Sequence, residues 1–309
     1  MLGRSLLLPL LLSGTFLTGC LDISEDGIDI RPRVPYQSSV RDVGEPLIWQ
    51  GEPIDVHVER GNVEVVGDPG ATSVRVTSRA MTWASYGDTG DAKAMNDAIL
   101  STAFARVEDG FLKVGCKAID DDIGSAQAAS TQCNLRVMVP APDGATHDVH
   151  VTTGLGDAFL ANLRTSPWGA IDLYVVGSVE AWGLRGNVHS QASENDIEAT
   201  PLPGGFIDAD STIILQVPGD REQADQGASS GTTLRLPSAF GANAVDLASQ
   251  QGSVLTADFP NLASGVPHNP GPSAAALVRG HADWGDVKVL TLHSLAGRSR
   301  TSDLGQLIF

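Results

Sequence analysis

Basic residues are scarce in this 309-residue chain, 20 Lys and Arg against 37 Asp and Glu, which leaves a formal charge of −17. A surface of that sign argues against a nucleic-acid backbone as partner and against adsorption to anionic lipid through a basic patch. It leaves room for divalent cations and for basic partners. Long amphipathic runs are nearly absent as well, while Gly (34) and Pro (17) are plentiful, so the composition points to an all-β chain. The length is enough to bury a sizeable core, in one elongated domain or two compact ones.

What is present is repetition. Between residues 177 and 209 one phrase is written four times: Val179-Glu180-Ala181, Val188-His189-Ser190, Ile197-Glu198-Ala199 and Ile207-Asp208-Ala209, at spacings of 9, 9 and 10 residues. The two-residue period of a strand puts the flanking apolar or small residues on one face and the polar one on the other. Gly177, Gly186, Gly205 and the Asn195-Asp196 pair stand ahead of the phrases, where a tight bend is required. Self-similarity at such spacing predicts a β-solenoid or stacked β-strand repeats. If one coil takes two phrases, Glu180 stacks on Glu198 and His189 on Asp208.

At the N-terminus, Arg4, an apolar run over residues 6–12 and Leu17-Thr18-Gly19-Cys20 form a charged start, a hydrophobic centre and a small-residue cleavage site. The apolar run is too short to span a bilayer as a helix. This segment resembles a bacterial lipoprotein signal peptide with its lipobox. The resemblance implies a signal peptide over 1–19 and acylation of Cys20, hence a membrane anchor through lipid. Leu21, rather than aspartate, at the second mature position is similar to lipoproteins sorted to the outer membrane where the envelope has two. Residues 20–46 lack any sustained period and read as the lipidated N-terminus and a flexible tether, with a reach of roughly 25–30 Å. Residues 47–309 read as the folded domain. With Cys20 acylated, Cys116 and Cys133 remain as an even pair in an oxidising compartment, which predicts a disulfide.

Strands begin near Leu47 with Ile54-Asp55-Val56-His57-Val58, and Gly61-Asn62-Val63 repeats the phrase. Ala92, Met95, Ala98, Ile99 and Ala103 recur at helical spacing, predicting one inserted helix over 91–105 that caps the end of an open sheet. A hairpin turning at Asp109-Gly110 follows. Further copies of the phrase are Gly156-Asp157-Ala158, Gly252-Ser253-Val254 and Gly285-Asp286-Val287, and strands ending in proline recur at Val137-Met138-Val139-Pro140 and Leu234-Arg235-Leu236-Pro237.

The recurring Gly-Asn/Asp/Ser-Val phrase, the strand-proline segments and the early helix resemble bacterial adhesin-like families of β-strand repeats, domains of unknown function for which the name adhesin is provisional. The resemblance covers about residues 56–292. It implies a β-solenoid and carries over no catalytic residues and no cofactor.

Candidate chemistry is sparse. Gly227-Ala228-Ser229-Ser230-Gly231 has nucleophile-elbow spacing but lacks the preceding strand. His147, Asp148 and His150 read as a surface group, because residues 147 and 150 of a strand face opposite ways. Trp182, Trp284, Glu180 and Glu198 are the candidate ligand-surface residues; the tryptophans stack on sugars at an exposed face, or else fill a core or cover a coil end. Glu180 and Glu198, or Asp120, Asp121 and Asp122, allow calcium without requiring it.

The reading reached is a non-enzymatic, lipid-anchored cell-envelope protein with a β-solenoid adhesion surface for an envelope or matrix protein or polysaccharide. Two rivals are a carbohydrate-active β-helix enzyme, which needs converging carboxylates, and a module that assembles end to end through open strand edges.

Overall fold

Alternation at period two decides the architecture. In the computed structural model, which describes residues 19–24, 27–85, 89–117, 119, 130–211, 231–237, 244–259 and 276–292, β4 (Ile54–Val58) buries Ile54, Val56 and Val58 and turns Asp55 and His57 outward. The same pattern recurs in β10 (Val149–Thr153), β12 (Ile171–Val175), β14 (Val188–Ala192), β16 (Phe206–Ser211) and β20 (Leu277–Ala282). With β18 (Ala244–Ser249) and the β7–β8 hairpin (Phe104–Glu108 and Phe111–Cys116), these make a nine-stranded sheet. A twelve-stranded sheet holds β5 (Val63–Asp68), β11 (Ala158–Ala161), β13 (Ser178–Arg185), β15 (Glu194–Thr200), β17 (Thr232–Leu236), β19 (Val254–Leu255) and β21 (Val287–Thr291). Beyond β5 this sheet continues through β9 (Ser130–Pro140) and β6 (Arg75–Ser85). The chain is thus mostly β, in two mixed sheets.

From β10 onward every successive strand changes sheet and pairs in parallel, so two consecutive strands add one rung to each sheet. The inward residues of both sheets merge in one apolar cluster, in which Ile171, Leu173, Val188, Ile197, Ile207 and Leu234 are fully buried. Rung order departs from chain order at both ends. The last rung, β20 with β21, lies between β16/β17 and β18/β19. The first, β4 with β5, lies between β8/β9 and β10/β11. Cys116 in β8 and Cys133 in β9 are disulfide-bonded, as expected from the even pair, and the bond joins the two sheets across one rung.

The Gly-Asn/Asp/Ser phrase acquires a physical reason at the corner between sheets. Gly61 (φ +138°) and Gly156 (φ +145°) lie on successive rungs, and a Cβ on either would meet the carbonyl oxygen of the rung below, at 2.0 Å from Cys133 O and 2.1 Å from Gly61 O. The next residue ties rungs together. Asn134 Oδ1 accepts the amide of Asn62, Asn62 Oδ1 that of Asp157, and Asp157 Oδ1 that of Ser178, at 2.9, 3.0 and 2.8 Å. Asp286 does the same for Ser253 at 3.1 Å. Corner amides that no ladder reaches are satisfied this way.

Three expectations are corrected. The helix α1 runs over Thr89–Thr102 and not to residue 105. Thr102 ends it, its hydroxyl donating to Ile99 O at 2.7 Å and accepting from the amide of Lys117 at 3.0 Å, after which Ala105 belongs to β7. Residues 20–46, read as a tether, carry β1 (Gly19–Ser24), β2 (Gly27–Gln37) and β3 (Arg41–Asp42). β2 and β3 pair with β6, whose edge would otherwise leave its backbone groups unpaired, and Val43 is buried there. Asn195 and Asp196 form no turn; both lie within β15.

Candidate functional site

Outward residues at equal height on the nine-stranded sheet form one row across eight strands: Lys113, Asp55, His150, Asp172, His189, Asp208, Arg279, Asp246. Basic or imidazole groups alternate with carboxylates at every step. With strands about 4.8 Å apart, Asp55, Asp172 and Asp208 each sit between two groups that attract them and Asp246 ends the row beside Arg279, which favours this register over a slipped one. Arg279 Nη1 approaches Asp208 Oδ2 at 3.2 Å, and His189 Nδ1 lies 3.7 Å from the same oxygen. The Asp208 carboxylate beside it raises the His189 pKa, and the imidazole in turn lowers that of Asp208, while burial raises that of Asp210 in the neighbouring row. Tyr174 lies between His150 and His189, with ring centroids 5.6 and 5.7 Å away, and is 39% exposed. Beside the first rungs, Asp55, Asp148, His150 and Asp172 line a cavity of about 260 Å³. Among the described residues no three His, Cys, Asp or Glu side chains are placed to hold a metal ion.

The twelve-stranded sheet presents a different outer row: Arg136, Glu64, Phe159, Glu180, Asp196, Thr233, Lys288, Leu255. Here much is covered. Glu64 is fully buried, with Arg136 Nη2 at 2.8 Å, and burial outweighs that guanidinium to raise its pKa. Phe159 and Ala161 are buried outside the main core, with Val66 and Trp182 packed on them. Trp182 Nε1 donates to Glu180 Oε1 at 2.7 Å, and Arg235 holds Asp196 through two bonds of 2.9 and 3.1 Å. Trp182, expected as a ligand-surface residue or as packing, is therefore engaged in packing and internal polar contacts. Trp284 is 48% exposed, at the turn before β21.

His189 stacks on Asp208 as the repeat implies, but Glu180 stacks on Asp196 and not on Glu198. Two features shift the register. Asn195 takes the first inward place of β15, where Ser190 Oγ donates to its Oδ1 at 2.6 Å and its Nδ2 donates to Ser211 Oγ at 3.1 Å. A bulge at Trp182 and Gly183 (φ +61°) then inserts one residue, so that Leu184 faces Ala199. Glu198 is thereby buried, and burial raises its pKa against an opposing hydrogen bond from the Gly183 backbone. His147 is also corrected. It is 1% exposed, stacked on Trp49 at 4.9 Å, with Nε2 donating to Pro140 O at 2.8 Å. Desolvation lowers its pKa. Cys20 falls in β1, opposite Arg31 in the backbone register. Asp120, Asp121, Asp122 and Ser229 lie outside the described residues.

Sequence reasoning missed a further place. Ala141–Ala145, the segment from Asn162 to Arg164, Arg185, Glu198 and Thr200 surround a cavity of about 470 Å³ beside the twelve-stranded sheet. The signal was available only as two arginines 21 residues apart, a spacing that reveals nothing until the rungs are stacked.

The fold and these faces define an extended stack of two sheets with a polar outer surface. No family model and no curated protein matches the chain. Among solved structures it is similar to a "putative cell adhesion protein" from Clostridium sporogenes, at 10% identity and TM-score 0.41, covering 84% of this chain and 100% of that one. A "putative adhesin" from Bacteroides fragilis gives 11% identity and TM-score 0.31, covering 83% and 97%. A "putative lipid binding protein" from Parabacteroides distasonis gives 7% and 0.22, covering 83% and 94%.

Proposed function

We propose that this chain is a non-enzymatic binding protein of the cell envelope, anchored through lipid on Cys20, whose rungs form a β-solenoid with the outer face of the nine-stranded sheet as its docking surface. One observation carries the reading: the uninterrupted row from Lys113 to Asp246, with Tyr174 exposed beside it. Parallel strands present a polar group about every 4.8 Å and a carboxylate at about twice that spacing, which suits an extended ligand with its own short repeat, a polysaccharide or an elongated protein segment. An aromatic ring flanked by carboxylates and imidazoles offers a sugar both an apolar face and acceptors for its hydroxyls. Net charge argues against nucleic acid.

The test is binding of the mature protein to immobilised envelope and matrix polysaccharides and proteins, compared with Tyr174→Ala and Asp172→Asn. Both variants are expected to keep the melting temperature within a few degrees and to lose binding at least tenfold. Unchanged binding in both removes the face from consideration. Cys20→Ala is expected to move the protein from the detergent phase to the aqueous phase on partitioning; retention in detergent removes the anchor.

A further inference from the structure

The cavity beside the twelve-stranded sheet holds two arginines at equivalent places on successive rungs. Arg164 and Arg185 form a parallel backbone bridge, with the Thr165 amide donating to Arg185 O at 2.8 Å. The stack continues on both sides, through the His147 amide to Arg164 O at 2.6 Å and the Gly186 amide to Thr200 O at 2.9 Å. Both side chains are exposed and both line the same cavity of about 470 Å³. Neither makes an ion pair with any carboxylate among the described residues. In a chain with 37 acidic and 20 basic residues, two neighbouring guanidiniums with no described carboxylate at ion-pair distance stand against the composition, since like charges on adjacent strands repel.

The rest of the lining restricts what could relieve that repulsion. Glu198 and Asp143 share the cavity, and Glu198 is 7% exposed. Two carboxylates disfavour a multiply charged anion such as phosphate. They suit hydroxyl groups, which donate to carboxylates. Pro142, Leu163 and Leu292 add apolar wall. The volume falls in the range of small-ligand sites and accommodates one or two sugar rings.

We infer that this cavity binds a singly charged acidic sugar, a uronate whose carboxylate bridges Arg164 and Arg185 while its hydroxyls donate to Glu198 and Asp143. The site is separate from the face of the nine-stranded sheet, so it stands or falls independently of the docking surface proposed above.

The experiment is calorimetric or NMR titration of the mature protein with galacturonate, galactose, inorganic phosphate and inorganic sulfate, with a separate incubation with oligogalacturonate to follow cleavage. Galacturonate is expected to bind at least tenfold tighter than galactose. Arg164→Gln and Arg185→Gln are each expected to weaken it about tenfold or more, a hydrogen bond to a charged group being worth about 1.5–3 kcal/mol. Because both arginines are exposed, the variants should melt with wild type, and Tyr174→Ala should leave this affinity unchanged. Equal affinity for the neutral sugar, or indifference to both arginine substitutions, overturns the proposal. Phosphate or sulfate competing as strongly as galacturonate overturns the sugar and leaves a general anion site. Release of new sugar ends, abolished by Glu198→Gln, would overturn the non-enzymatic reading while keeping the acidic sugar.

Discussion

The two outer faces obey the same alternation and use charge in opposite ways. On the nine-stranded sheet, opposite charges and imidazoles alternate along a row that is half-buried and keeps contact with solvent. On the twelve-stranded sheet, Glu64 is fully buried beside Arg136, and Phe159 is buried as its neighbour. An exposed pair contributes little because water already solvates both partners, whereas a buried carboxylate depends on its counter-ion. On the function proposed above the first face is the one a partner would read, whereas the second is held together by its own contacts, with the arginine cavity at its margin.

Both faces depend on the shared core, so the largest effect comes from breaking an inward position. Val188 is fully buried between Ile171 and Ile207. Val188→Asp is expected to cost more than about 4 kcal/mol by placing an unpaired charge there. His189→Ala, one residue along but facing out, should cost under about 1 kcal/mol. Equal melting temperatures for the two would mean that the faces are reversed.

Next comes the covalent link between sheets. Reduction of Cys116–Cys133, which closes a 17-residue separation, is expected to lower stability by about 3 kcal/mol in the chain-entropy model. Thiol counting on denatured protein without reductant should give none from this pair. Two alkylated cysteines would remove the link.

Arg136→Met sharpens the contrast between faces. It strands Glu64 in a fully buried place and is expected to cost about 3 kcal/mol near neutral pH. The Glu64 pKa is raised in the fold, so the native state binds the proton more tightly and stability falls as pH rises from the unfolded value through the folded one. The penalty of Arg136→Met should therefore shrink as pH is lowered toward the ordinary glutamate range. A penalty independent of pH would show that Glu64 does not carry it.

Much of this was legible in the residues. Period-two alternation gave the strand faces, the even cysteine pair gave the disulfide, and the spacing of Val188 and Ile207 put His189 on Asp208. What stayed hidden depends on partners far apart in the chain. The shift that puts Glu180 on Asp196 requires an inward Asn195, tolerated because Ser190 and Ser211 satisfy it. The placement of β20/β21 inside β18/β19 follows from pairing between strands far apart in the chain, which local pattern does not encode. Strand alternation, which sets residues 147 and 150 on opposite faces, reads His147 as a surface residue, yet it precedes β10 and is covered by Trp49, 98 residues earlier.

The smallest effect tests the open face directly. His189 faces Asp208 on one side and Asp172 on the other, with Asp210 and Tyr174 nearby, and the Asp208 carboxylate raises its pKa above the ordinary histidine value of 6.5. A raised folded pKa means that the stabilisation is fully present below the unfolded pKa and is lost as pH rises through the folded one. Both side chains are partly exposed, so the expected gain is under about 1 kcal/mol. Denaturant midpoints of wild type and His189→Gln should diverge in favour of wild type below the unfolded histidine pKa and converge above the folded one. Since salt screens an exposed pair and hardly touches a buried one, raising ionic strength should erase this difference while leaving the Arg136→Met penalty in place. Loss of both at high salt would make the two faces electrostatically alike.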